Sequence, residues 1–380
     1  MEDKPRKFIQ LVPFYPTPYE LHPKEDYFLM PADIMREKGF DVEFVTLRNT
    51  APTPEYKTGK GNEAPSFEMH NGYPVKRFGN MLSLFWYIRQ QKNAIVHVHL
   101  RPYPPSQFAP FFVPQKKALR TFTYLLGSNK AIEILTKFSV TKYDVVFCVT
   151  PYEVGIYEKA GVRKEKIRLV PLSIDYGFFS AKAPDIKEAA VKFGFDKSEF
   201  VIISIAQIRH HKRFDDVMRA LKIIKEKIPS AKFLAVGEDW LPRQNLPDIM
   251  AQAREIGVED SVIWTDFQGM AAVRALLQGS SVFVHGADNE YQGLVSYEAA
   301  AAGTPLCLSN IGTHTSVFGE HALYHEVTDH ETLARNLLRY HDDKELVKRN
   351  TSFLKEKMKG WDYDVIKKKM SDAYDELAKP

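Results

Sequence analysis

The strongest constraint on the fold is an alternation along the chain: short apolar runs separated by segments with helical periodicity. FIQLVPF (8–14), DVEFVTL (41–47), AIVHVHL (94–100), RTFTYLL (120–126), DVVFCVT (144–150) and KIRLVPL (166–172) read as strands. Helical patterns lie between them, one running from Asp26 to Lys38 and stopped by Gly39. The polar stretch 49–80 predicts a loop and a hairpin turning at Asn71-Gly72, a strong turn dipeptide. Residues 173–198 are less regular and carry Pro184, which puts the connection between domains there. The pattern then restarts with EFVIISIAQ (199–207), AKFLAVG (231–237), SVIWTDF (261–267), SVFVHG (281–286) and PLCLS (305–309). Strands alternating with helices argue for a doubly wound parallel sheet, and the restart argues for two of them.

Composition admits this. A chain of 380 residues is long enough for two domains, and 44% hydrophobic residues without biased tracts is ordinary for a globular protein. No run approaches the roughly 18 apolar residues that cross a bilayer, and MEDKPRKFIQ lacks the apolar core of a signal peptide. The two cysteines, Cys148 and Cys307, each sit in an apolar run and read as core thiols, so a cytoplasmic, reducing address is expected. A net charge of +4 suits an anionic ligand or membrane surface and is too weak to argue for nucleic acid.

The chemistry concentrates in NEYQGLVSYEAAAAGTPLCLS, residues 289–309. Glu290 and Gly293 precede a helix expected from about Leu294 to Ala302, which carries Glu298 and is stopped by Gly303 and Pro305. A helix start preceded by glycine offers unpaired N–H groups and the positive end of the macrodipole, which suits phosphate. Two carboxylates beside it can accept hydroxyl hydrogen bonds. Phosphate plus polyol describes a nucleotide sugar. An ordinary helix of an α/β domain behind a surface glutamate is the other reading.

These residues carry a resemblance. Glu290 and Glu298 separated by seven residues, Gly293 between them and the Glu-Ala-Ala-Ala-Ala-Gly-Thr-Pro tail resemble the signature of glycosyltransferase family 4, retaining sugar transferases of the GT-B fold. The resemblance covers the second half well and the first mainly by its alternation. It implies two Rossmann-like domains facing each other across a cleft: 1–178 for the acceptor, 179–360 for the nucleotide sugar, and a closing helix from 361 packing back on the first. That tail, to Lys379, sets Trp361, Val365, Ile366, Met370, Tyr374 and Leu377 roughly on one side. The resemblance further implies that Glu298 accepts ribose hydroxyls, that Glu290 contacts the transferred sugar, and that the amides of Gly293, Leu294 and Val295 hold the diphosphate. The donor would be a UDP-, GDP- or ADP-hexose, with no metal cofactor.

A second basic constellation follows the strand at 199–207, where Arg209, His210, His211, Lys212 and Arg213 meet a helix start. Cations there stabilise a diphosphate leaving group more as the glycosidic bond breaks than before. The family pattern is Gly-Arg-Leu, three residues, then Lys-Gly. Lys212 matches the lysine, but Gln207 stands at the arginine and Arg213 at the glycine. Lys212 is therefore the first candidate and Arg209 the second, against a solvated basic loop. Gly237, in AVGED, resembles a strand-end glycine that borders the nucleotide; a turn alone would also explain it.

In the first half His97 and His99 look like the family's Ile-His-Val-His and, two apart in a strand, point the same way. Either an acceptor-side contact or a core histidine satisfies that. PFYPTPYELHPKEDYF has no Gly-Gly phosphate loop, and Thr123-Tyr124-Leu125-Leu126-Gly127 has no histidine where relatives commonly carry one. MLSLFWYIRQQK (81–92) and FAPFFVPQKKALR (108–120) are apolar-aromatic runs ending in cations, fit for a core-facing helix or for a helix at an anionic membrane surface. The expected activity is hexosyl transfer from a nucleotide sugar to a hydroxyl of a lipid-linked or polysaccharide glycan. A soluble disaccharide synthase or phosphorylase, or a non-catalytic sugar-nucleotide binder, are the alternatives.

Overall fold

The structure is a computed structural model, and it describes residues 6–13, 15, 27–48, 65–99, 104–120, 130–196, 199–239 and 245–379. They form two compact units, one of residues 1–173 with 363–380 and the other of 174–362.

In chain order unit 1 has β1 (Lys7–Leu11), α1 (Leu29–Glu37), β2 (Asp41–Leu47), β3 (Phe67–His70), β4 (Tyr73–Phe78), α2 (Met81–Gln90), β5 (Ala94–His99), α3 (Pro104–Phe112), β6 (Lys116–Arg120), α4 (Lys130–Val140), β7 (Val145–Cys148), α5 (Pro151–Lys159) and β8 (Ile167–Leu169). Unit 2 has α6 (Tyr176–Ser180), α7 (Ile186–Lys192), β9 (Val201–Ile205), α8 (Phe214–Lys225), β10 (Lys232–Val236), α9 (Asn245–Ile256), β11 (Val262–Thr265), α10 (Met270–Gly279), β12 (Val282–His285), α11 (Leu294–Ala302), β13 (Leu306–Ser309), α12 (Gly312–Phe318), β14 (Leu323–His325), α13 (His330–Asp342) and α14 (Lys344–Met358). The last helix, α15 (Tyr363–Ala378), returns to unit 1.

Unit 2 is a parallel sheet in the order β11-β10-β9-β12-β13-β14. Its inner strands β9, β10, β12 and β13 are buried on both faces. Val201, Ile203, Leu234 and Val236 enter one core with α10, α11 and α14, while Ile202, Phe233 and Ala235 enter another with α8, α9 and α13. That is why they read as continuous apolar runs rather than as alternating ones. The winding reverses between β9 and β12. Their carboxyl ends are therefore the topological switch point, where a doubly wound sheet leaves a crevice.

Unit 1 follows the same logic in the order β3-β4-β2-β1-β5-β6-β7-β8, parallel except for the antiparallel β3–β4 hairpin. Asn71 (φ 50°) and Gly72 (φ 75°) make its two-residue turn, the backbone that an Asn-Gly pair adopts most readily. The switch point here lies between β1 and β5. α15 lays Ile366, Met370, Tyr374 and Leu377 against Phe8, Phe44 and Phe147.

Several expectations need correction. The strand expected over 120–126 starts earlier: β6 is Lys116–Arg120, where Ala118, Leu119 and Arg120 are buried and the lysines reach solvent at its entry; residues 121–126, with Thr123 to Gly127, lie outside the described residues. For the same reason 108–120 is not one helix. α3 ends at Phe112, Pro114 follows, and the basic end of the run is a sheet strand. α1 begins at Leu29 rather than Asp26, and most of PFYPTPYELHPKEDYF lies outside the described residues. In the tail Val365 is exposed, and Trp361 belongs to a 3₁₀ turn of unit 2 that packs near Tyr297. The short strand β14 went unread in the sequence because Leu-Tyr-His is too brief to show a period. Both cysteines are buried.

Candidate active site

The loops after β9 and β12 meet at the switch point of unit 2. Asp288 N donates to His211 O at 3.0 Å, which fastens the two loops together. Across that seam Lys212 Nζ lies 2.6 Å from Glu290 Oε2. His285, the last residue of β12, brings Nε2 to 2.9 Å from the same oxygen, and Tyr291 N donates to Oε1 at 3.0 Å. Thr313 Oγ1, from α12, donates to Glu290 O at 2.9 Å. The carboxylate is only 15% exposed. Burial would raise its pKa, but the His285 hydrogen bond and charge, followed by those of Lys212, outweigh it and hold Glu290 well below the usual carboxylate range. Glu290 is a fixed anion with one oxygen shared by two nitrogen donors.

Three residues on, Gly293 (φ 67°, ψ 60°) turns the chain into α11. A Cβ there would stand 2.9 Å from Glu290 Cγ, so glycine is demanded both by the left-handed backbone and by the carboxylate above it. No side chain caps α11, and the first N–H groups of a helix have no acceptor within it. Buried Ser296, in this first turn, has a hydroxyl with no partner among the described residues. Glu298, a turn inside the helix, is buried at 7% exposure. Leu294 and Val295 are partly buried against the core.

The basic loop divides by role. Arg213 has φ 57° and ψ 43°, the left-handed conformation that a glycine takes without strain. Its guanidinium is held by Asp215 at 3.0 Å and by both oxygens of Asp216 at 3.0 Å, so it is committed to the start of α8. Arg209 carries no such carboxylate among the described residues; its Nε donates to Gln207 Oε1 at 3.2 Å. The guanidinium two places late is thereby folded back beside position 207. His210 and His211 reach solvent; the partial desolvation of the His211 ring, then the charges of Lys212 and Arg209, depresses its pKa.

Gly237, at the end of β10, has φ 147°, and a Cβ on it would fall 1.8 Å from Ala206 O. The close approach of β9 and β10 alone accounts for this glycine. His97 and His99 lie elsewhere, at the switch point of unit 1. Both are fully buried, with ring centroids 4.5 Å apart. His97 Nδ1 meets Tyr374 OH at 2.6 Å, and His99 Nε2 meets Gln10 Oε1 at 2.8 Å. Burial, then the Arg120 charge, keeps His97 well below the usual histidine pKa. Among the described residues no group of three or more His, Cys, Asp or Glu could hold a metal ion.

Sequence reasoning missed His285, Thr313 and His314. His285 closes an apolar strand and so reads as core, although a histidine at the carboxyl end of a strand before the loop was a signal. His314 stands 5.5 Å from His285 between ring centroids and donates Nδ1–H to Ser309 O at 3.0 Å. Burial and the neighbouring His285 push its pKa down to about 3, so it is neutral.

Residues 185–356 match the family model described as glycosyl transferases group 1. The chain is 24% identical over 204 residues to the mannosylfructose-phosphate synthase of Agrobacterium fabrum, covering 52% of this chain and 44% of that one. It is 26% identical over 330 residues to the N-acetyl-alpha-D-glucosaminyl L-malate synthase of Bacillus anthracis, 82% of each. The matches span less than half the length of several curated relatives. Among solved structures, Anabaena Alr3699/HepE in complex with UDP and glucose superposes with a TM-score of 0.74 at 14% identity, over 97% of this chain and 99% of that one.

Proposed function

We propose, from the match of residues 185–356 to the group 1 glycosyl transferases and from the GT-B fold, that the chain is a retaining transferase of hexosyl groups from a nucleoside diphosphate sugar to a hydroxyl acceptor. The observation that carries this reading is the anion Glu290, locked by Lys212 and His285 directly before the uncapped start of α11. In this reading the amides of Gly293, Leu294 and Val295 receive the diphosphate, with Lys212 beside them and Arg209 at the rim. Glu290 accepts hydroxyl hydrogen bonds from the transferred sugar, Glu298 accepts those of the ribose, and Gly237 borders the nucleotide. Unit 2 binds the donor and unit 1 the acceptor, with His97 and His99 shaping its floor.

In the reaction the bond from the anomeric carbon to the diphosphate oxygen breaks. The anomeric carbon bonds the acceptor oxygen, whose proton is released. Negative charge grows on the leaving diphosphate, so the helix start and Lys212 stabilise the transition state more than the bound donor. Glu290, held as an anion by His285 and Lys212, positions the sugar.

A lipid-linked or polysaccharide glycan is the acceptor in the leading reading. A soluble sugar phosphate is the second, favoured by the likeness to mannosylfructose-phosphate synthase. The test is a thermal-shift screen of UDP, GDP, ADP and their sugars, since a ligand bound only by the native state raises apparent stability. One nucleotide series should raise the Tm, and Glu298→Ala should abolish that rise. No shift with any nucleotide ends this reading.

A further inference from the structure

From Met69 to Ile132 the sequence contains no Asp or Glu, yet it holds Lys76, Arg77, Arg89, Lys92, Arg101, Lys116, Lys117, Arg120 and Lys130. A chain whose overall net charge is only +4 has therefore gathered a block of 64 residues without a single carboxylate. Much of that block builds α2 and α3, and α3 packs against both α2 and α4. The outer surface of these three helices is apolar where solvent would favour polar groups. Leu82 and Trp86 on α2 are 76% and 67% exposed, Phe111 and Phe112 on α3 are 41% and 45%, and Ile134 and Phe138 on α4 are 62% and 57%. Ring contacts tie α3 to both of its neighbours. Phe112 stacks on Phe85 of α2 at 5.2 Å between ring centroids, and Phe111 stacks on Phe138 of α4 at 5.6 Å.

Cations border this surface. Arg89 is exposed one turn beyond Trp86, Lys137 is exposed beside Phe138, and Lys142 Nζ stands 5.1 Å from the Phe138 ring centroid. The single carboxylate on α4, Glu133, is tied to Lys137. Just past the ends of α2 and α3 lies a cavity of about 590 Å³ whose lining, among the described residues, includes Arg6, Lys92 and Lys116 and no acidic residue. Large apolar side chains rimmed by cations fit a lipid interface: the rings enter the acyl boundary and the cations meet anionic headgroups. No helix among the described residues is long and apolar enough to cross a membrane.

We propose that the outer face of α2, α3 and α4 docks on an anionic lipid bilayer, with Trp86, Phe111, Phe112 and Phe138 inserted and Arg89, Lys92, Lys116 and Lys142 on the headgroups. The inference rests on surface chemistry and is independent of the donor reading. It names where a lipid-linked acceptor would be met.

The test is co-sedimentation of the full chain with vesicles of phosphatidylcholine alone and with vesicles that also contain phosphatidylglycerol. The protein should pellet with the anionic vesicles and be released by salt. Arg89→Gln with Lys142→Gln should weaken binding roughly thirtyfold, from about fivefold per cation near the surface, and Trp86→Ser with Phe138→Ser should abolish it. The nucleotide thermal shift, measured on the same variants, should be unchanged. Failure to pellet with any vesicle, or pelleting that survives both double variants, overturns the docking face while leaving the transferase reading standing. Vesicle binding without any nucleotide shift sinks the transferase reading alone. If Trp86→Ser instead dissociates a dimer in sedimentation velocity, the face is a contact between copies and the proposal is wrong.

Discussion

The ammonium of Lys212 lies 2.6 Å from a carboxylate oxygen of Glu290, 78 residues further along the chain. The two come from loops after β9 and β12, neighbours in the sheet only because its winding reverses between them. Each was expected to touch a different part of the donor. Their pairing keeps Lys212 beside the helix start while fixing the orientation of Glu290.

Lys212→Met should lower turnover of the donor about a hundredfold or more, the usual loss when one electrostatic donor to a developing anion is removed. Nucleotide release under saturating donor is the measurement. Turnover within a few fold of wild type would remove Lys212 from the site.

Glu290 also predicts a pH dependence. Its folded pKa is depressed below the unfolded value of about 4.3. A depressed carboxylate contributes stability that is fully present above the unfolded pKa and lost as pH falls through the folded one. Wild type and Glu290→Gln should therefore differ fully in urea midpoint near neutrality, and the gap should begin to narrow only below about pH 4 and shrink steadily as the pH falls further. A gap that widens in acid would contradict the assignment.

Two glycines should fail differently on substitution by alanine. Gly237→Ala drives a Cβ to 1.8 Å from Ala206 O, backbone that cannot step aside. It should cost about 3 kcal/mol or more, since a buried overlap adds to the cost of the strained φ. Gly293→Ala should cost only about 1–2 kcal/mol for the left-handed conformation, yet displace Glu290, whose Cγ is 2.9 Å away. The expectation is a folded, inactive Gly293 variant and a poorly folded Gly237 variant by circular dichroism and turnover. Equal activity in both would refute it.

Tyr374→Phe removes the partner of His97 Nδ1 in a fully buried site. Leaving a buried polar atom unpaired should cost about 1–3 kcal/mol. Urea unfolding should register this loss, whereas the nucleotide thermal shift should not change, because both residues lie in unit 1.

The local features were legible in the sequence for a physical reason: each is written within a few residues. Strands of a parallel sheet buried on both faces read as apolar runs, Asn71-Gly72 marks its own turn, and Gly293 and Gly303 bracket α11. Strand order is not local. That Lys212 and His285 converge on Glu290, that Tyr374 closes over His97 from 277 residues away, and that Arg213 takes a glycine's conformation with Asp215 and Asp216 on its guanidinium were decided by tertiary structure alone. So was the fate of 108–120, where one apolar-basic run divides between a helix and a strand because the neighbouring strands β5 and β7 supply hydrogen bonds for its second half. Periodicity records which side of an element is buried; which elements become neighbours depends on packing the whole sheet, and no single stretch of sequence encodes that.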